Sequence, residues 1–266
     1  MSAPLWETLA ELAQVTQPQV MAAGMVFLRI GAVFALVPGF GERVVPLRVR
    51  LVCALAVTMG LAPLVPMAPA PDTPISLALF AVAETLNGSI LALALRLSLF
   101  AIQIAGTIAA QSTSLAQAFG GTGLDPLAAA DRLLTMAALA LILTTGFPLR
   151  LAVLLVDSYD GLPMGLFPAP AALAEWGTSQ AGQAFATGFS LAAPFLIVSM
   201  LYNLALGAIN RAMPQLMVAL VGAPAATWGG LVLLMVAAPF MVMHWASGFA
   251  RILGDPLAMA PLTAWP

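Results

Sequence analysis

Few residues in this 266-residue sequence could do chemistry. His244 is the one histidine and Cys53 the one cysteine, so no Cys–His or His–Glu cluster exists to hold a metal through nitrogen and sulfur. A single cysteine also excludes an intrachain disulfide. Neither a Gly-x-Ser-x-Gly elbow nor a phosphate-binding P-loop occurs. An intramembrane serine protease would need a Ser–His pair, with His244 as its base. An aspartyl counterpart needs two carboxylates at similar depth, whereas Asp157 and Asp160 read as parts of a polar turn. His244, between Met243 and Trp245, reads as a packing residue at a helix end, and Cys53 as a small apolar filler. The expectation is a protein that is not an enzyme and has no cofactor and no metal.

The charged residues are more informative for where they stand. Glu84, Arg96 and Asp157 lie within or beside long apolar stretches. An ionised group at mid-bilayer costs at least ~2.5 kcal/mol on insertion scales, so such groups usually face a partner or a cavity. Glu84 and Arg96 are therefore candidate buried charges. Arg211 reads either as a cation fixing a turn against carboxylates or helix C-terminal carbonyls, or as an interfacial arginine reaching to water.

The elements that must hold these groups follow from composition and pattern. Hydrophobic residues make up 62% of the chain and charged residues 8%, and the mean hydropathy is +1.02. A soluble domain is about half apolar and about a quarter charged. A chain this poor in charge must turn most of its surface to lipid or to other apolar protein. Nine basic residues, all arginine, face eleven acids, and no basic stripe exists to meet a nucleic acid.

A spanning helix needs about 20 apolar residues. Residues 19–37 form a first candidate with the single charge Arg29, followed by a polar turn, 38–43, and the cluster Pro46, Arg48 and Arg50. A second candidate, 51–64, ends in a linker carrying Pro63, Pro66, Pro69, Pro71 and Pro74, which reads as extended. Residues 75–117 are too long for one span and read as two helices or a hairpin. After a glycine-rich loop, 118–126, Asp131-Arg132 opens a helix to about Ser158. Residues 161–182 read as an irregular crossing, and 185–209 and 218–243 as further helices, interrupted by Pro194 and Pro239. The fold class is thus all-α and membrane-embedded, with six to seven kinked or broken apolar helices. It reads as one domain over 1–266, with an interfacial segment at 1–18 and a tail at 252–266. The start of the chain lacks the positive charge of a secretory signal. Arg43, Arg48 and Arg50 would place the first polar turn in the cytoplasm. These observations leave open a subunit of an assembly or a small-solute transporter with Glu84, Arg96 and Arg211 along its path.

The run Asn203-Leu204-Ala205-Leu206-Gly207-Ala208-Ile209-Asn210-Arg211-Ala212-Met213-Pro214-Gln215, followed by Val221-Gly222-Ala223-Pro224, resembles the C-terminal signature of the FliR family of flagellar export-gate subunits. Leu154–Tyr159 with Gly161-Leu162-Pro163-Met164-Gly165, in which Asp157 and Pro163 stand, is similar to the family's segment after its central helix. Gly106 with Asp125-Pro126 matches its mid-chain region, and Pro38, Pro46 and Arg50 its first polar turn.

This resemblance implies helical hairpins in a hetero-oligomeric gate of the bacterial inner membrane, at the flagellar basal body. The implied partners are FliP-like and FliQ-like subunits, FlhB-like and FlhA-like export components, membrane lipid and unfolded export substrates. A virulence-type injectisome gate is the alternative. It also implies that a loop over Ser112–Gly123 plugs the closed pore, with Ser112, Leu115, Phe119, Gly120, Gly121 and Gly123 as its candidate residues. The glycines supply backbone freedom and Phe119 the one aromatic side chain of the loop. Two places depart from the family pattern. Gly146-Phe147-Pro148 stands where a Gly-His pair is common, and Ala225-Ala226 where a basic residue is frequent.

Overall fold

The computed structural model describes residues 5–66, 73–112, 127–213 and 218–257. Seven α-helices occupy them: α1 (Leu5–Leu36), α2 (Leu47–Leu61), α3 (Pro74–Ser112), α4 (Leu127–Thr144), α5 (Phe147–Gly161), α6 (Pro170–Ala212) and α7 (Val218–Gly254). No strand occurs among the described residues. Five helices are long and apolar enough to cross a membrane, and α4 with α5 makes a sixth candidate, bent by 74°. The protein is an all-α membrane protein.

The helices are longer than the sequence pattern predicts. Residues 75–117 were expected to hold two helices, but α3 runs unbroken through Asn87-Gly88 for 39 residues. Gly88 marks a close crossing there: a Cβ would lie 2.3 Å from the Arg29 carbonyl oxygen of α1. The glycine thus serves helix approach, as small residues do in membrane bundles. In the opposite sense, the helix expected from Asp131 to Ser158 is two helices. Gly146 takes φ +82 between α4 and α5, a left-handed value that ends a helix.

Residues 161–182, expected to be irregular, are helical from Pro170 onward. Proline's fixed φ suits a first helical position. Pro194 lies inside α6 and Pro239 inside α7, and neither ends its helix. The linker expected to be extended begins with a 3₁₀ turn, Ala62–Leu64, that holds Pro63. Helix α1 starts at Leu5, so the expected interfacial segment continues directly into the first apolar helix.

The described helices gather into two compact units, and α3, α6 and α7 each contribute to both. The first unit contains α1, α2, α5 and the segments of α3 up to Arg96 and of α6 up to Gly177. Helices α1 and α2 form an antiparallel hairpin through residues 37–46, where the Phe40 ring packs on Phe34 with centroids 4.8 Å apart. Trp176 packs against Ile90 and Ala94, and its indole N–H donates to the Pro256 carbonyl at 3.1 Å. The second unit contains α4, most of α6 and α7, and α3 from Leu97. Its Trp245 donates to the Ser98 carbonyl at 2.7 Å and stacks obliquely on Phe249.

At 1.5 Å per residue, α3 is about 58 Å long, roughly twice the ~30 Å hydrocarbon core. Ordinary tilts of about 20° do not absorb that excess.

Candidate functional site

The first unit is built around a buried ion pair. Arg29 comes from the C-terminal third of α1 and Glu84 from α3, and both side chains are fully buried. The guanidinium donates from Nε to Glu84 Oε2 at 2.8 Å and from Nη2 to Glu84 Oε1 at 3.0 Å. This is the bidentate geometry that makes arginine–carboxylate pairs strong. Two more of its donors are used. Nη2 reaches the Leu162 carbonyl at 2.8 Å and Nη1 the Ser158 hydroxyl at 3.1 Å. Tyr159 presents its ring face to the guanidinium, 3.7 Å from Cζ to the centroid, a cation–π contact.

Glu84 is as fully engaged. Its Oε1 also accepts the Gly165 N–H at 2.9 Å, and its Oε2 accepts the Tyr159 hydroxyl at 3.5 Å. Gly165 takes φ +76 and lies against the Phe80 ring, where a Cβ would approach to 2.4 Å. Asn87, one turn after Glu84, donates from Nδ2 to the Leu166 carbonyl at 3.0 Å, while its buried Oδ1 has no partner. Three helices and the 162–166 loop are thus fastened to one charge pair. The charge pair itself spends its hydrogen bonds on protein, which suits a structural clamp.

A second pair ties the first polar turn to α3. Arg96 Nη1 meets Glu42 Oε1, with each side chain about a quarter exposed (25% and 24%). Arg50, from the expected turn motif, donates through Nη2 to the Glu42 carbonyl. Pro46 precedes α2, and its carbonyl accepts from Val49 at 3.0 Å and from Arg50 at 3.2 Å. Pro38 is buried at the end of α1.

The structure separates the remaining expected residues. Gly106 is buried in the second unit, where a Cβ would lie 2.6 Å from the Asp131 Cα, so α3 and α4 touch backbone to backbone there. Asp157 is exposed on α5, and its neighbours Ser158 and Tyr159 are the members of that motif that meet the ion pair. Asp157 and Asp160 lie on α5 instead of in a polar turn. Pro163 is half-buried in the loop that follows. Asn203 and Arg211 are exposed, the latter in the last turn of α6.

His244, expected to pack at a helix end, is exposed within α7. Helix α7 continues ten residues past it, to Gly254. Leu115, Phe119, Gly120, Gly121, Gly123, Asp125, Pro126 and Pro214 lie outside the described residues, while Ser112 closes α3 with its hydroxyl on the Ala109 carbonyl. Gly222 and Pro224 fall in α7.

Arg29, Ser158 and Tyr159 were not among the expected site residues. The signal for Arg29 was present: it is the sole charge of its apolar stretch, as Glu84 is the first charge in its own. Two lone charges of opposite sign in two apolar helices are each other's least costly partners. No group of three or more His, Cys, Asp or Glu is placed to hold a metal among the described residues. The second unit has an open cavity of about 460 Å³, with Phe100, Gln103, Thr107, Asp131 and Phe185 in its wall.

Residues 20–252 match the family described as bacterial export proteins, family 1. The chain is 31% identical over 239 residues to the flagellar biosynthetic protein FliR of Caulobacter vibrioides, covering 88% of this chain and 95% of that one. It is 31% identical over 243 residues to FliR of Escherichia coli, with 88% and 92% covered. FliR of Aquifex aeolicus is 26% identical over 226 residues, with 84% and 87% covered.

Proposed function

The chain belongs to the bacterial export proteins, family 1, and from that premise we propose that it is the FliR-type subunit of a flagellar protein export gate. It is a membrane-embedded component of the flagellar export apparatus. In the proposed reading it assembles with FliP-like and FliQ-like subunits around a channel for unfolded flagellar proteins. FlhB-like and FlhA-like components would adjoin it in the inner membrane at the basal body. It catalyses no reaction, and export is energised elsewhere. The whole chain acts as one functional domain, since the family match runs through both compact units.

The observation that carries this reading is the near full-length match, in both directions, to proteins named for flagellar biosynthesis. Two physical features support it. Glu84 and Arg96, the charges that could have lined a solute path, are occupied by Arg29 and Glu42. Meanwhile α6 and α7 leave Phe185, Phe189, Trp228, Met235 and Phe240 exposed. Exposed apolar patches of this kind are covered by protein or membrane, and in the proposed gate neighbouring subunits supply part of that cover.

Deleting the gene is expected to abolish secretion of hook and filament proteins, and normal secretion would overturn the reading. Affinity capture of the tagged chain is expected to bring FliP-like and FliQ-like chains with it. A small-solute transporter would instead purify alone and move solute in liposomes. The loop from Ser112 to Gly123 is proposed as the pore plug. Shortening it is expected to make the assembled gate leak ions, and unchanged conductance would reduce it to a connector.

A further inference from the structure

We propose that the α1–α2 turn and the first turns of α2 form a seat for an anionic phospholipid surface, with Arg43 and Arg48 on the headgroups and Val44 and Leu47 in the acyl boundary. The charges of this turn do not balance within the protein. Glu42 is its one acid, and its carboxylate is already taken by Arg96 of α3. Arg50 turns inward to the Glu42 carbonyl. Arg43 and Arg48 are exposed and make no ion pair among the described residues.

Helix stability does not account for Arg48 either. It stands in the first turn of α2, at the positive end of the helix dipole, where a cation is unfavourable. An outside anion would offset both problems.

The apolar residues of the same turn point to a lipid source for that anion. Val44 is 83% and Leu47 78% exposed, and Val52 and Met59 continue an exposed stripe from Arg48 along α2. Only Ala54 and Thr58 of α2 are buried. The apolar window Leu47–Leu64 has 18 residues, about 27 Å at 1.5 Å per residue, close to the ~30 Å hydrocarbon core. Free arginines at one end of a lipid-length apolar helix match anionic headgroups better than a protein groove. Each basic residue near a membrane surface favours anionic lipid by about fivefold.

The test uses the full chain in bilayers, with Cys53→Ser and a bromine-quenchable dye on Val44→Cys. Brominated phosphatidylglycerol is expected to quench several-fold more than brominated phosphatidylcholine at equal mole fraction. Arg43→Gln with Arg48→Gln should bring the two to parity. So should about 1 M salt with both arginines intact, where the screening length is only ~3 Å. Equal quenching by both lipids from the start overturns the proposal. Absence of quenching overturns it too, as does dye protection only when FliP-like or FliQ-like chains are added, which would make the occupant a protein. Secretion is not read in this assay, so failure here leaves the gate assignment standing.

Discussion

The two ion pairs of the first unit join the same residue types, yet they do different work. Arg29–Glu84 is fully buried, bidentate and surrounded by four further hydrogen bonds and a cation–π contact. In Arg96–Glu42 both side chains are about a quarter exposed. In the first pair each charge is stranded if the other is removed, because no water can replace it. In the second, water is at hand. Burial, and not the identity of the partners, therefore sets how much each pair matters.

The largest expected effect tests the buried pair. Glu84→Gln leaves Arg29 uncompensated and should destabilise the protein by about 3–5 kcal/mol, read as unfolding free energy in mixed detergent micelles. Replacing both members, Arg29→Met with Glu84→Leu, should recover part of that loss. Recovery cannot be full, because the Leu162 carbonyl and the Gly165 N–H lose their partners as well. A double variant no better than Glu84→Gln would mean that those surrounding contacts, and not the stranded charge, carry the cost.

Ser158→Ala comes next. It removes a hydrogen bond to the guanidinium and should cost about 1.5–3 kcal/mol, whereas Asp157→Asn beside it, on the exposed side of α5, should stay within about 0.5 kcal/mol. Equal effects would refute the assignment of that motif to the clamp. Gly88→Ala is expected to cost about 1–3 kcal/mol by forcing α3 away from α1. A hydrogen-exchange rise confined to those two helices would identify the cause. The smallest change is Glu42→Gln at the exposed pair, about 0–1 kcal/mol, and about 1 M salt should shrink it further. A loss there as large as at Glu84 would erase the distinction between the pairs.

Much of the fold is legible in composition and pattern. The scarcity of charge requires an apolar surround, and the approximate positions of most helices follow from their apolar runs. Errors arose where one local cue carries two meanings. Asn87-Gly88 looks like a turn, but it is the point where α3 crosses α1. Gly146 looks like a tolerated glycine in a helix, but it is where α4 and α5 part. His244 looks like a packed residue at a helix end, but α7 continues past it with its side chain exposed. At Gly88 the deciding fact is a neighbour distant in sequence, and at Gly146 it is a left-handed backbone value that the residue type permits but does not impose.

The sites divide along the same line. The sequence by itself determined that isolated charges in apolar helices must be compensated, since lipid and apolar protein offer no water to solvate them. It determined family membership too, because ordered motifs survive along the chain. Only the tertiary structure decided that Arg29 meets Glu84 across 55 positions, and that Ser158 and Tyr159, instead of Asp157, complete the site. Pairing depends on which helix faces come together, and that is a property of the packed bundle and not of any one helix.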